Sequence, residues 1–163
     1  MFSALQIFTV MMVALSASLS LAHALELPGK MRLDEPTYRA VQHIYYPGFT
    51  IGGFGDVLGL FSTAALVLLT PTGSAAFWLT VAAFAGMLAT NIVYWVAVHP
   101  VNKHWMKGEP VSASAATFFG AGRERTSAGD WTTLRDRWEY AHVARAVLAS
   151  TSLLALVISL NSD

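Results

Sequence analysis

The sequence contains no cysteine and few charged residues. The absence of cysteine from all 163 residues excludes disulfide bonds and thiolate metal sites, and it leaves the redox compartment undetermined. Charged residues make up only 12% of the chain, whereas a soluble domain carries about 25%. The ten basic and ten acidic residues cancel, so the chain lacks the positive excess that usually neutralises nucleic-acid phosphates. We therefore expect neither a protein that faces water on all sides nor a nucleic-acid partner.

Apolar sequence dominates instead. Hydrophobic residues make up 55% of the chain, and its mean hydropathy is +0.50. They concentrate in four runs, each close to the ~20 residues that a helix needs to cross the hydrocarbon core of a bilayer. We predict an all-α, single-domain integral membrane protein whose four helices cover residues 2–24, 49–70, 75–98 and 131–160. Residues 26–48 and 100–129 then form connections outside the lipid bilayer.

The lysine and arginine residues are distributed asymmetrically. Lys30, Arg32 and Arg39 follow the first run, and all the other cations lie between Lys103 and Arg145. None precedes the first run, lies in the turn after the second run, or follows the last run. By the positive-inside rule, both long connections are cytoplasmic and both termini are non-cytoplasmic. An up-down-up-down bundle is the simplest arrangement, because each helix satisfies its own backbone hydrogen bonds in lipid.

The first run has a second interpretation as a signal peptide. Residues Ala22, His23 and Ala24 resemble a small-residue cleavage site. However, no lysine or arginine precedes the run, and the run is longer than the apolar region of a typical signal peptide. We therefore interpret it as the first transmembrane helix.

The second connection contains a stretch rich in serine, alanine and glycine at residues 111–128, which predicts a mobile loop or a short surface helix. Asp130 follows this stretch and is a candidate N-cap for a helix that begins at Trp131. Within the second run, Gly55 and Gly59 form a small-residue pair that lets helix backbones approach closely in lipid. Tight packing inside the bundle is the simpler interpretation of this pair, and a homodimer face is the alternative.

Three polar residues lie deep within the predicted helices. Ionisable side chains are costly inside a bilayer, so each is a candidate for function. With a rise of 1.5 Å per residue, Asp56 lies about 11 Å inside the cytoplasmic end of its helix, and Asn91 and Arg145 lie at similar depths. We predict an ion pair between Asp56 and Arg145, because either charge alone would be expensive. A catalytic or ligand-binding use of this pair is the alternative, and Asn91 is either a bridge between helices or part of the site.

Two pairs of histidine and glutamate lie on different helices. His23 and Glu26 are three residues apart, as are Glu139 and His142, so each pair shares one helix face. Such pairs are part of the ligand set that helical bundles use for di-iron or di-manganese sites, with Asp56 as a further carboxylate. A haem between the two histidines is another interpretation. The sequence requires neither group, so the cofactor stays unknown.

A stripe of polar and aromatic residues runs along the fourth helix. Its members recur at intervals of four and three residues and are Trp131, Arg135, Trp138, His142 and Arg145. We expect the stripe to face the bundle, because lipid penalises its charges. Trp131 and Trp138 have a second interpretation as anchors at the membrane interface, which is the simpler interpretation of Trp95 and Trp105. The predicted site converges on one cavity near the cytoplasmic face and combines His23, Glu26, Asn102, Trp138 and His142.

Three segments of the chain form a distinctive set. They are residues 22–30 (AHALELPGK), residues 99–105 (HPVNKHW) and residues 131–145 (WTTLRDRWEYAHVAR). Together they resemble the anthrone-oxygenase-like family of small four-helix membrane proteins. Fungal members are associated with the oxidation of an anthrone to its anthraquinone by O₂, whereas most bacterial members are of unknown function. The resemblance implies a bacterial inner membrane, and the site residues that it implies are Asn102, Trp131, Trp138, His142 and Arg145, with His23 and Glu26 from the first helix.

Two functions follow as the main hypotheses. In the first, the protein is an oxidoreductase for a lipophilic phenol, quinol or anthrone: His142 abstracts a proton, Arg145 holds the phenolate, and Trp131 and Trp138 line the slot. No metal is required, because an electron-rich carbanion reacts with O₂ directly. In the second, the protein is a non-enzymatic accessory, assembly or lipid-binding subunit, as a homo-oligomer or within a larger membrane complex. An ion path is less favoured, because the outer halves of the helices carry no charge.

Overall fold

The structure is a computed structural model that describes residues 2–105 and 130–162. All regular structure in these two ranges is helical. The α-helices are α1 (Phe2–Lys30), α2 (Glu35–Gln42), α3 (Gly48–Gly52), α4 (Phe54–Leu69), α5 (Ala75–Val93), α6 (His99–Trp105) and α7 (Trp131–Ser159). A 3₁₀ turn covers His43–Tyr45, and a π-helical segment covers Tyr94–Val98. The loop or surface helix predicted at 111–128 lies outside the described residues.

Four helical spans are long and apolar enough to cross a membrane. They are Phe2–Lys30, Gly48–Leu69, Ala75–Trp105 and Trp131–Ser159. The most apolar stretch of each span has a mean hydropathy between 1.7 and 1.9. The predictions of an all-α fold and of four such helices are confirmed, and the chain has the character of an integral membrane protein.

Two of the spans extend beyond their predicted ends. The first continues to Lys30 instead of ending at residue 24, and it includes Pro28. The third continues to Trp105 instead of ending at residue 98. Pro100 has no N–H to donate to the preceding turn, and it follows the π-helical segment, where the backbone hydrogen-bond pattern of the span changes.

The second span is interrupted at Gly53, which separates α3 from α4. The connection before it also contains helix α2, which begins after Asp34. The Asp34 carboxylate accepts a hydrogen bond from the backbone N–H of Thr37 at 3.1 Å, and its hydrogen bonds to Thr37 lower the pKa of Asp34. Asp130 accepts from the N–H of Thr132 at 3.1 Å, so the predicted N-cap of the last helix is confirmed.

The four long helices pack in a closed ring: α1 contacts α4 and α7, and α5 contacts the same two helices. The glycine pair lies inside this ring. A Cβ atom added to Gly55 would lie 3.2 Å from the carbonyl oxygen of Met12, and one added to Gly59 would lie 2.9 Å from the end of Met87. The pair therefore packs within the chain, and the alternative that it forms a homodimer face is wrong.

One of the predicted interfacial tryptophans is part of the core. The side chain of Trp105 is 3% exposed, and its ring lies 5.2 Å from that of Tyr38. Trp95 is 53% exposed and remains compatible with a place at the membrane surface. Because the third span extends to Trp105, this residue packs against Tyr38 on α2 and is buried.

Candidate functional site

The centre of the site is a pair of buried histidines. His23 on α1 and His142 on α7 have ring centroids 4.3 Å apart, and the two side chains are only 5% and 3% exposed. The ring of Trp138 lies 4.0 Å from that of His142 and 4.9 Å from that of His23. All three line a cavity of about 60 Å³. His23, Trp138 and His142 therefore lie together at one cavity, and the helical spacing had indicated this only for Trp138 and His142.

Hydrogen-bond partners determine which nitrogen of each ring carries the proton. Nδ1 of His142 lies 2.9 Å from the carbonyl oxygen of Trp138. A carbonyl only accepts, so Nδ1 is the protonated nitrogen and a neutral ring keeps its lone pair on Nε2. Nδ1 of His23 lies 3.5 Å from Nζ of Lys30, which only donates. The acceptor Oε2 of Glu26 lies farther from the same nitrogen, at 3.8 Å, so in the neutral form we expect the proton of His23 on Nε2.

Lys30 belongs to the site, although its sequence position suggested only a cation that fixes topology. Its ammonium lies 2.9 Å from Oε2 of Glu26 and 3.5 Å from Oε1 of Glu139. It also lies 4.8 and 4.9 Å from the ring centroids of Tyr45 and Trp138, and its side chain is 4% exposed. The signal that could have revealed it is its spacing of four from Glu26 and seven from His23, which places all three on one face of α1.

The position of Lys30 argues against a di-metal centre. Glu26 and Glu139, the two carboxylates proposed as ligands, both face the Lys30 ammonium. A cation already occupies the space in which a shared metal ion would bind them. In the part of the chain that the structure describes, no group of three or more histidine, aspartate or glutamate side chains is placed to hold a metal. The residues do not fit the di-iron or di-manganese interpretation.

A haem between the two histidines does not fit either. Metal–nitrogen bonds of about 2 Å on both sides of an iron would hold two imidazole centroids about 6 Å apart. The centroids of His23 and His142 are 4.3 Å apart, and the rings meet edge to face at 61°. The ring contact leaves no room for a macrocycle between them.

Two tyrosines close the charged side of the site. Tyr38 donates a hydrogen bond to Oε1 of Glu139 at 2.9 Å, and Tyr45 donates to Oε2 of Glu26 at 2.5 Å. Burial raises the pKa of Tyr38, and the charge of Glu139 raises it further. Burial and the hydrogen bond to Glu26 likewise raise the pKa of Tyr45. Both phenols therefore stay protonated and act as hydrogen-bond donors to the carboxylates.

Asp56 and Arg145 form the ion pair that their matched depths predicted. The guanidinium of Arg145 donates to Oδ2 of Asp56, and Ser16 donates to Oδ1. Asn91 donates to the backbone carbonyl of Asp56 at 3.3 Å and to that of Met87 at 3.0 Å. Asn91 therefore bridges two helices, and it is not among the residues that line the cavity.

Trp131 and Glu26, like Asn91, lie away from the cavity, whereas Asn102 lines it. Trp131 packs against Tyr38, with centroids 6.0 Å apart, and lies under the Arg135 guanidinium at 5.1 Å. It is not a lining residue, because it lies about three helical turns from His142 along α7. Glu26 is bound to Lys30 and also does not line the cavity. Asn102 does line it, and its Oδ1 accepts from the indole N–H of Trp138 at 2.7 Å.

The cavity wall also contains buried polar groups without partners, and two of their residues, Ser20 and Gln42, were not predicted from the sequence. Among the described residues, the amide nitrogen of Gln42, the hydroxyl of Ser20 and Nε of Arg145 are buried without a hydrogen-bond partner. All three residues line the cavity beside the histidine pair. A buried polar group without a partner costs about 1–3 kcal/mol, so these groups favour a polar occupant at this place.

Comparison with protein-family models, with curated proteins and with solved structures finds no match for this chain.

Proposed function

We propose that this protein is a multi-pass membrane oxidoreductase that removes a proton from a lipophilic phenol, quinol or anthrone and delivers the resulting carbanion or phenolate to O₂. The observation that carries the proposal is the buried His23–His142 pair beside the cavity. The resemblance to the anthrone-oxygenase-like family supports the same chemistry. In this proposal the helices run up-down-up-down in the inner membrane of a bacterium, with both termini outside the cytoplasm.

His142 is the proposed base. Its Nδ1–H is held by the Trp138 carbonyl, so Nε2 is the nitrogen that accepts a proton. For an anthrone, loss of a C–H proton to Nε2 leaves a carbanion that reduces O₂. One oxygen atom ends in the new quinone carbonyl and the other leaves as water with both hydrogens of the CH₂ group. A quinol instead gives two protons and two electrons to O₂ and yields a quinone and H₂O₂, so neither reaction needs a cofactor to balance.

The proposed role of Arg145 differs from the predicted one, in which its charge holds the phenolate. Its charge is neutralised by Asp56, so it does not offer a free cation to a phenolate. Hydrogen-bond donors remain available in the amide of Gln42, the hydroxyl of Ser20 and Nε of Arg145. These donors would hold the oxygen of the substrate while the positive charge stays balanced within the protein.

The cavity must enlarge to admit a ring system. Pockets for drug-sized ligands measure roughly 300–1,000 Å³, whereas this cavity measures about 60 Å³, enough for O₂ or a few water molecules. Tyr45, Tyr46, Phe49 and Gly53 line it from the segment between α2 and α4. In the proposed cycle this segment moves outward to admit the substrate.

Oxygen uptake by purified protein in nanodiscs tests the proposal, with anthrone or a short-chain ubiquinol as substrate and quinone absorbance as the second signal. His142→Gln should lower the rate by about 10²–10⁴, the usual contribution of a general base. His43 is an exposed histidine, so His43→Gln is the matched control and should leave the rate unchanged. Wild-type protein that oxidises neither compound, or an unchanged rate in His142→Gln, would contradict the proposal.

A second candidate is a non-enzymatic accessory, assembly or lipid-binding subunit. It is favoured by the internal neutralisation of the buried charges, because Arg145 is paired with Asp56 and Lys30 with Glu26 and Glu139. Crosslinking in intact cells followed by purification through a C-terminal tag separates the two. A stoichiometric partner protein, together with purified protein that has no oxidase activity, would replace the first proposal by the second.

A further inference from the structure

A second cavity lies among the opposite ends of the long helices. Its volume is about 280 Å³, and it shares no lining residue with the histidine cavity. Its walls come from the first turns of α1, the end of α4, the beginning of α5 and the end of α7. Neither the Asp56–Arg145 ion pair nor the pair of histidines lines this cavity, so the site described above does not account for it.

The part of this cavity wall that the structure describes is uncharged. None of the described residues that form its wall carries a charge. Its apolar side includes Val10, Leu66 and Leu156, and the last two are 3% and 1% exposed. A charged ligand would lose its hydration here without gaining an opposite charge, so the cavity disfavours ions.

The polar side consists largely of hydroxyl groups whose hydrogens are already used. Thr70 donates to the carbonyl of Leu66 at 2.7 Å, Thr80 to that of Ala76 at 2.8 Å, and Ser159 to that of Leu156 at 2.7 Å. A hydroxyl has one hydrogen and two lone pairs, so each of these groups is left as an acceptor. Gln6 is the one side-chain amide among the described lining residues and adds a carbonyl as well as an N–H donor.

We propose that this cavity binds an uncharged lipophilic alcohol or phenol. The hydroxyl of the ligand donates to the threonine and serine oxygens of the wall. The apolar part of the ligand packs against Val10, Leu66 and Leu156. The acceptor-rich wall discriminates against the corresponding ether, which has no hydrogen to donate. This site is independent of the proposed oxidoreductase function, because it involves none of the same residues.

The ligand comparison uses 1-naphthol and its methyl ether, 1-methoxynaphthalene, as probes. Binding is measured by fluorescence titration of the unmodified full-length protein in nanodiscs, with empty nanodiscs correcting for partition into lipid. Loss of one hydrogen bond of about 1 kcal/mol should weaken binding of the ether about five-fold. No saturable binding of 1-naphthol above the empty-disc signal, or equal affinities for both probes, would overturn the proposal.

Two matched pairs of variants locate the site. Ala76 lines the cavity, whereas Ala75 beside it is exposed, so Ala76→Phe should abolish 1-naphthol binding and Ala75→Phe should not. Thr80 and Thr90 lie on the same helix and make the same backbone hydrogen bond, but only Thr80 lines the cavity. Thr80→Val should weaken binding several-fold and Thr90→Val should leave it unchanged. Equal binding by both members of each pair would place the probe elsewhere and overturn the assignment.

Discussion

At the scale of single residues, the ion pair of Asp56 and Arg145 permits a quantitative test of buried charge. Asp56→Ala strands the Arg145 guanidinium among buried groups, and breaking a buried pair in this way costs about 3–5 kcal/mol. The double variant Asp56→Ala with Arg145→Met removes both charges. We expect it to be more stable than the single variant Asp56→Ala in thermal unfolding measured in detergent.

The control for this cycle is a pair near the protein surface. Glu35 and Arg39 lie 2.8 Å apart on α2, with side chains 40% and 39% exposed, and such a pair contributes at most about 1 kcal/mol. Glu35→Ala and Arg39→Met should therefore show little coupling. If the effects of Asp56→Ala and Arg145→Met on stability simply add, the buried pair has no coupling energy and our description of it is wrong.

Lys30 is the second residue with a specific prediction. Lys30→Met leaves the carboxylates of Glu26 and Glu139 without their shared cation, and it removes the donor that faces Nδ1 of His23. We expect lower thermal stability and loss of the Nε2–H tautomer of His23, observed by ¹⁵N NMR of histidine-labelled protein. Arg32→Met removes an exposed cation from the same region and should change neither. A His23 spectrum that is identical in wild-type and Lys30→Met protein would contradict the tautomer assignment.

At the scale of helices, the close contact of α4 with α1 depends on Gly55. Leucine at this position would have to displace the backbone of Met12 and the side chain of Leu15, and overpacking of this kind typically costs about 1–3 kcal/mol. Gly48 on α3 has no atom within 4 Å of an added Cβ, so Gly48→Leu is the matched control. Gly55→Leu should lower the thermal unfolding temperature, whereas Gly48→Leu should not. Equal unfolding temperatures would show that the helices do not need this contact.

The existence of the four helices followed from the sequence, but two of their ends did not. Runs of apolar residues determine where a helix can cross lipid, and Asp130 indicated where the last one begins. The predicted helices ended at residues 24 and 98, where the apolar runs stop. In the structure, the Lys30 charge is satisfied by two carboxylates inside the protein, and Pro100 follows a π-helical segment of a continuous helix. Local sequence contains neither fact, because both depend on tertiary contacts.

The site was predictable where one helix carried several of its members. Trp138, His142 and Arg145 share a stripe on α7, and matched depth was sufficient to pair Arg145 with Asp56. The tyrosines of the first connection were missed, since their partners Glu26 and Glu139 lie on other helices and no pattern within one segment indicates such contacts. Lys30 was missed although its spacing of four from Glu26 places both on one face of α1. Trp131 was wrongly predicted to line the cavity, because the stripe on α7 extends beyond the cavity. Its ring packs on Tyr38 instead.

At the scale of the whole molecule, the distribution of cations predicts the orientation in the membrane. A reporter enzyme fused after Asp163 should lie outside the cytoplasm, and one inserted at Ser114 should lie inside it, because all ten lysine and arginine residues lie in or beside the two long connections. Paired alkaline phosphatase and green fluorescent protein fusions measure this directly. Both reporters on the same side of the membrane would contradict the four-span topology and would favour cleavage after Ala24.

The central claim is that Nε2 of His142 accepts a proton from a lipophilic substrate. The most direct test is chemical rescue of His142→Gly protein in nanodiscs, measured as anthrone-dependent oxygen uptake while imidazole is added. We predict an activity near the empty-disc background without imidazole and a saturable recovery with it. Pyrazole, a much weaker base of the same shape, should give no recovery. Full activity of His142→Gly without any addition, or equal responses to imidazole and pyrazole, would contradict the claim.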